Sequence, residues 1–337
     1  MSTNKYPIIV ILITFFLWAI ILFVIPNDKE VIFNGSTMGT TYEVKVIDNI
    51  SSYHKDRIQF KLDSILLSIN QSLSTYIIDS DISKINNDQI VFNSYNINKD
   101  FKYVLDKSIY YFNLTGGAFD VTIKPLMEIW GFRGSVPTKL PSSDEVTDVL
   151  KFVGSDKIKL NGNQLTKGHP KLQFDFGAIA KGYAVDVISD YLISNGYKTH
   201  YVEIGGEIKC KGKDWLIQIA YPEFMSSKGF NVLNLNNHSI ATSGTYNQYL
   251  KIEDFEYSHI LDPRIGKPVK NNIVSVSVIS LNSIDVDALA TSLKVIGKDE
   301  GLKIINNIDN TECMFIIKEN NQLKEFRSKN FSNFIVN

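Results

Sequence analysis

The sequence predicts an α+β fold. Two features carry that expectation: strand-like runs cluster in the second half of the chain, and helical patterns are interspersed among them rather than alternating strictly with strands. No Pro- or Gly-rich linker cuts residues 31–337, so they read as a single domain. Thr40 to Ile47 alternates in the manner of a half-buried strand. Ile58, Leu62, Ile65, Leu66, Ile69 and Leu73 recur at helical spacing and predict an amphipathic helix over residues 54–73. A second helix is expected over 99–114, stopped by Gly116-Gly117. Ser142 with Glu145 three residues on matches a capping box and opens a short helix running to Phe152. Another helix is expected from Gly177 to Asn195. Strands follow at 201–204, 215–221, 230–235, near Thr245 to Ile252, and 273–280, then two helices and a strand at 314–318.

Composition narrows the function. The 337 residues are 44% hydrophobic and 21% charged, a globular mix, and 35 basic against 36 acidic side chains give no long-range attraction to nucleic acid. The only arginines are Arg57, Arg133, Arg264 and Arg327, so recognition of phosphate or carboxylate is expected to lean on Lys, backbone N–H groups or a metal. Cys210 and Cys313 lie far apart without CxxC spacing, which argues against zinc; two buried thiols are expected, with one bridge left open. At the N-terminus, Ile8 to Ile25 is free of charge and bracketed by Pro7 and Pro26, close to the minimum for a membrane-spanning helix. Lys5 and the terminal amine precede it, while Asp28, Lys29 and Glu30 nearly cancel after it. Residues 1–7 are therefore expected in the cytoplasm and the rest outside. No A-x-A site and no cysteine follow the run, which favours an uncleaved anchor over a cleaved signal or a lipoprotein.

Three constellations could carry chemistry. In Phe174 to Asp186 (FDFGAIAKGYAVD) a strand is expected to end on Asp175 and a helix to start after a Gly turn. That arrangement gathers free N–H groups and Lys181 where an anion could sit, or leaves Asp175 as a plain N-cap. Gly205-Gly206 suggests a close backbone approach or a bulge within a strand. Asp287 and Thr291, four apart on a helix, offer a carboxylate and a hydroxyl of the kind Mg²⁺ takes, or a solvated Asp with a core-facing Thr. His259, before an Asp-Pro turn in SHILDPRIGKP, is a candidate general base, whereas His54, His169, His200 and His238 read as surface or loop residues.

Taken together, eight blocks in order resemble the ApbE family of flavin transferases: GSTMGTTYEV at 35–44, LSTYIIDSDISKIN at 73–86, TGGAFDVTIKPLMEIWGF at 115–132, DFGAIAKGYAVD at 175–186, IGGEI at 204–208, IATSGTYNQY at 240–249, SHILDPRIGKPV at 258–269 and VDALATSLKVIG at 286–297. The resemblance implies a T-fold-related architecture of mixed and antiparallel sheets with flanking helices. It also implies Mg²⁺-dependent transfer of the FMN half of FAD onto a Ser or Thr hydroxyl of an acceptor protein, with AMP leaving. By the same resemblance Met38, Tyr76, Ala118, Phe119, Asp120, Asp175, Lys181 and Leu261 would line the FAD site. Asp287, Thr291 and the Ala178 carbonyl would hold Mg²⁺, and His259 would be the catalytic base. The chain departs from the family's common pattern at Lys181, where Glu is frequent, and at Ala290, where Asp is frequent. Acceptors in the family are commonly subunits of membrane electron-transport complexes, which agrees with an exported, anchored enzyme. Two other readings use the same residues: an FAD pyrophosphatase in which water replaces the acceptor, and a flavin-binding protein without chemistry.

Overall fold

Ile273–Ser280 is buried at every position, because it lies in a sheet covered on both faces. The computed structural model describes residues 29–90, 93–135, 137, 139–219, 231–244, 249–252, 255–320 and 322–336. The apolar run Ile8 to Ile25 lies outside the described residues, and no described helix is long and apolar enough to cross a membrane. The principal sheet holds eight strands: β1 (Lys29–Thr37), β2 (Thr40–Asp48), β3 (His200–Ile204), β4 (Glu207–Lys211), β5 (Ser239–Gly244), β6 (Ile273–Ser280), β7 (Glu312–Glu319) and β8 (Gln322–Arg327). Their order in space is their order in the chain, and each pairs antiparallel with the next.

Alternation along the strands sends side chains to two cores. Val44, Val202, Val276, Val278 and Phe315 face the helical side, with α1 (Ser52–Leu73), α2 (Asp81–Asn87), α3 (Lys99–Leu114) and α6 (Ala180–Ser194) packed into the same cluster. Between α3 and α6 the chain forms the short helices α4 (Lys124–Ile129) and α5 (Ser143–Leu150) and a small sheet of Ser94–Asn96, Ile158–Asn161 and Gln164–Lys167. After β6 come α7 (Ser283–Ile296) and α8 (Lys298–Ile305). On the other face, Cys210, Ile279, Met314 and Ile316 pack under the hairpin of Trp215–Ile219 and Asn231–Leu235. Cys210 and Cys313 belong to opposite faces, both buried as free thiols, so the sheet itself separates them.

Most expected elements occur, among them α3 at its predicted bounds and the capping box of α5, in which Ser142 and Glu145 satisfy each other's backbone N–H groups. Four expectations are corrected. Asp175 ends no strand and caps no helix: residues 174–176 are irregular and α6 begins only at Ala180. Gly205-Gly206 is not within a strand but forms the two-residue turn joining β3 to β4, with φ of 60° and 102°, the left-handed pair such a hairpin requires. Of the run near Thr245 to Ile252, Tyr249–Ile252 is a strand and 245–248 lie outside the described residues. His200 is no surface residue: it is fully buried at the start of β3.

The N-termini of α6 and α7 lack side-chain caps of their own, and each is capped by an aspartate from the other. Asp186 on α6 accepts from the N–H groups of Ser283 and Ile284 (2.9 Å each), while Asp287 on α7 accepts from the Gly182 N–H (2.9 Å). Gly182 makes the approach possible, since a Cβ there would lie 2.2 Å from the Ser283 carbonyl oxygen. Lys209, buried on β4, reaches Asp186 at 2.6 Å and completes the clasp. We expect Asp186→Ala to lower stability by about 3–5 kcal/mol, because Lys209 is left as an uncompensated buried charge. Adding Lys209→Met should recover part of the loss in denaturant titrations.

His200 supplies a pH dependence. Its Nδ1 lies 2.8 Å from the Tyr197 carbonyl, which can only accept, so Nδ1 carries the proton and Nε2 accepts from Ser189 Oγ (2.8 Å). Burial lowers its pKa from 6.5 to about 4. The unfolded chain therefore binds more protons than the folded one between those values, and stability falls as pH drops through that window. The total is on the order of 3 kcal/mol. His200→Gln should flatten the stability difference between pH 7 and pH 4 relative to the unsubstituted protein.

Candidate active site

One cavity of about 660 Å³ opens where the β1–β2 turn, the loop after α1, the loop after α3 and the facing ends of α6 and α7 converge. That volume lies in the range of small-ligand sites. Met38 reaches it from the β1–β2 turn, where its φ of 51° is left-handed. Ala118, Phe119 and Leu261 give apolar wall, and Tyr76, three-quarters exposed, stands at the rim with the Arg133 guanidinium 5.2 Å from its ring centroid. The wall that carries His259 is fixed from behind. Trp130 Nε1 donates to the Gly266 carbonyl (2.8 Å), and the Val269 N–H donates to the Ile260 carbonyl (2.9 Å).

Three charged side chains meet at the clasp. Lys181 Nζ is 3.0 Å from Glu207 Oε1 and 3.8 Å from Asp287 Oδ1. Burial alone would lower the lysine's pKa, but the two carboxylates outweigh it and raise it. Burial pushes both Glu207 and Asp287 upward against the pull of Lys181. Two acids share one base, and Glu207 Oε2 is buried with no hydrogen-bond partner among the described residues. A cation entering the cavity would give that oxygen a partner and favour the charged forms of both acids. Among the described residues no group of three or more His, Cys, Asp or Glu is arranged to hold a metal. The oxygens on offer are instead a carboxylate, a hydroxyl and a backbone carbonyl, the sparse set that suits a cation keeping waters and substrate phosphate.

All twelve residues singled out from the sequence line this cavity: Met38, Tyr76, Ala118, Phe119, Asp120, Asp175, Ala178, Lys181, His259, Leu261, Asp287 and Thr291. The carboxylates among them differ in what they do. Asp120 accepts from Thr122 and Ser155, through backbone and side chain of each, and burial raises its pKa against those bonds. It ties the loop after α3 to the segment after α5. Asp175 takes both Arg133 Nε (2.7 Å) and Nη2 (3.3 Å) together with the Gly177 N–H (2.7 Å). Asp285, beside the predicted metal residues in sequence, instead pairs with Lys107 (2.7 Å) and is absent from the lining.

Two charged lining residues, Arg133 and Glu207, escaped the sequence reading. Arg133, one of the scarce arginines, stands at the rim, its pKa raised because Asp175 outweighs burial. Its scarcity was the only available signal. Glu207 follows directly on Gly205-Gly206, and a tight turn delivering an acid beneath Lys181 is visible only once the hairpin is known.

Comparison with known proteins gives the family. The family model described as "ApbE family" matches residues 38–315. A FAD:protein FMN transferase of Vibrio cholerae is 34% identical over 313 residues, covering 91% of this chain and 93% of the relative, and that of Haemophilus influenzae is 34% identical over 307 residues, covering 88% of each. Among solved structures, the flavin transferase ApbE from Vibrio cholerae superposes with a TM-score of 0.83 at 34% identity, covering 91% of this chain and 99% of that one. The apo flavinyl transferase ApbE of Pseudomonas stutzeri does so with a TM-score of 0.82 at 30% identity, covering 91% and 97%. With the matched residues spanning most of the chain and every one of the twelve predicted positions on one cavity, the chain belongs to the ApbE family.

Proposed function

We propose that the protein is an FAD:protein FMN transferase that moves the FMN moiety of FAD onto a Ser or Thr hydroxyl of an acceptor protein and releases AMP. The observation that carries this reading is the convergence of residues from 38 to 291 on one cavity that holds a histidine, a lysine and an acid pair. Met38, Tyr76, Ala118, Phe119 and Leu261 would take the flavin and its ribityl chain against apolar wall. Asp120 and Asp175 would act through the loops they tie rather than by touching FAD, since their oxygens are already occupied. His259 would accept the proton of the acceptor hydroxyl as its oxygen attacks the FMN phosphorus; the bond from that phosphorus to the bridging oxygen breaks and AMP carries the oxygen away. Lys181, held at the clasp, would face the charge that develops on the pyrophosphate.

Mg²⁺ would be held by the Asp287 carboxylate, the Thr291 hydroxyl and the Ala178 carbonyl, and would supply Lewis-acid stabilisation of the pyrophosphate oxygens. The acid pair and the orphaned Glu207 oxygen support that assignment. We further propose that Ile8 to Ile25 anchors the chain in the inner membrane, with residues 1–7 cytoplasmic and the catalytic domain outside. Its acceptor would then be a neighbouring subunit of a membrane electron-transport complex, held at the same surface.

The test is the full chain in detergent with FAD and Mg²⁺, with and without a peptide carrying an acceptor Ser or Thr, followed by mass spectrometry. A mass gain on the peptide matching FMN, lost with EDTA, is expected. Free FMN and AMP without labelling would reassign the protein as a pyrophosphatase, and intact FAD would leave a binding protein. His259→Gln should lower labelling by about 10²–10⁴-fold while FAD still binds. Asp287 also caps α6, so Asp287→Asn, which keeps an acceptor oxygen for the Gly182 N–H, probes the metal more cleanly than Asp287→Ala. It should abolish the response to Mg²⁺ and leave the circular dichroism spectrum unchanged.

A further inference from the structure

The outward face of α1 carries large apolar side chains in single file. Tyr53, Phe60 and Leu67 are 68%, 76% and 67% exposed and seven residues apart, so they project from one side of the helix over about 21 Å. Ile78, 87% exposed in the loop beyond, continues the line. None of these residues belongs to the cavity lining.

The position of α1 says what could cover them. Lys29 pairs with Asp48 at the end of the sheet where β1 begins, and α1 begins at Ser52, just past the end of β2. From there α1 runs beside β1 in the same direction. Lys55 lies over the Phe33 ring, Gln59 reaches the Asn34 carbonyl (3.5 Å) and Asn70 reaches Thr37 (2.8 Å). Pro26, Asn27 and Asp28 alone separate the apolar run ending at Ile25 from Lys29, a span of at most about 14 Å. The file therefore starts beside the point where the proposed anchor meets the domain. On α1 it ends at Leu67, six residues before Leu73, Ser74, Thr75 and Tyr76, which line the cavity.

We propose that this face of α1 lies against the phospholipid bilayer, which sets the cavity mouth at the height of the lipid headgroups. The proposal rests on the anchor reading. A second copy of the chain fits the face poorly, because a helix–helix seam needs a second apolar row. The rows flanking the file are Asp56 and Asp63 on one side and Arg57, Ser64 and Gln71 on the other. A bilayer interface makes no such demand, since Tyr, Phe and Leu can enter between headgroups while the flanking Asp56, Arg57 and Asp63 keep their charges in water and Arg57 can lie beside phosphate. The consequence for the reaction is steric. An acceptor tethered to the same membrane would present its hydroxyl to a mouth already at its own height, rather than reaching upward to it.

The full chain in phospholipid nanodiscs tests this, with Tyr53, Phe60, Leu67 or Leu216 replaced singly by Cys and spin-labelled. Cys210 and Cys313 are buried, and Leu216 is the exposed reference on the hairpin behind the sheet. The expected result is a shift toward collision with oxygen over a water-soluble nickel chelate at Phe60→Cys and Leu67→Cys, and none at Leu216→Cys. Chelate access at all the sites in chain that co-elutes with the nanodisc would overturn the proposal and leave the anchor standing. Protection from both reagents with a doubled protein count per disc would assign the face to a second copy. Failure to co-elute would remove the anchor and the proposal with it.

Discussion

The exchange of aspartates between α6 and α7 is the constraint on which the site depends. Two helices that arrive from distant parts of the chain have bare N-termini, and each satisfies the other's free N–H groups with a carboxylate. The geometry leaves no room for a side chain at Gly182, so the helices meet backbone to backbone at their starts. Lys181 precedes that contact and Asp287 is one of the exchanged acids. The same bonds that join the helices thus set the separation of the lysine and the carboxylate at the floor of the cavity. Asp287 thus belongs both to the clasp and to the cavity lining.

The remaining acids divide by what their oxygens already hold. Asp120 and Asp175 are saturated by the protein, as struts for the loops that bear Phe119 and the Gly177 turn. Glu207 and Asp287 share one lysine between them, with an oxygen left over. In a low-dielectric wall an oxygen left without a partner is costly, and it is this oxygen that the proposed Mg²⁺ would relieve.

Much of this was legible in the residues. A Gly pair stops α3, a reciprocal Ser–Glu pair starts α5, and the β-branched run of β6, interleaved with serines, reads as a strand, although only the structure shows that both its faces are buried. These signals are local or depend on period alone. The failures share a different cause, a partner that only the folded chain brings into place. Asp175 looked like a cap because Arg133, which takes its carboxylate, stands far upstream. His200 looked like a loop residue because the Ser189 and Tyr197 groups that satisfy it are defined only when α6 folds back on β3. Asp186 closed a family motif without any sign that its task was to cap a helix beginning at Ser283. The cavity residues were recoverable as a set through the resemblance, while their division into struts and chemical groups needed the hydrogen bonds.

The sheet is laid down in chain order with one interruption. Between β2 and β3 the chain leaves at Asp48 and returns at His200, after building α1 through α6 and most of the cavity wall. Each of the other described neighbours in the sheet is joined across a shorter stretch, so the β2–β3 seam closes by far the longest loop and carries the largest entropic toll on the route to the native state. The cavity lining comes from both sides of that seam: Met38 before it, Glu207 and His259 after it. A chain that has folded either portion alone has no complete cavity, so any ligand that occupies it reports completion of the whole fold and cannot stabilise a half-made one.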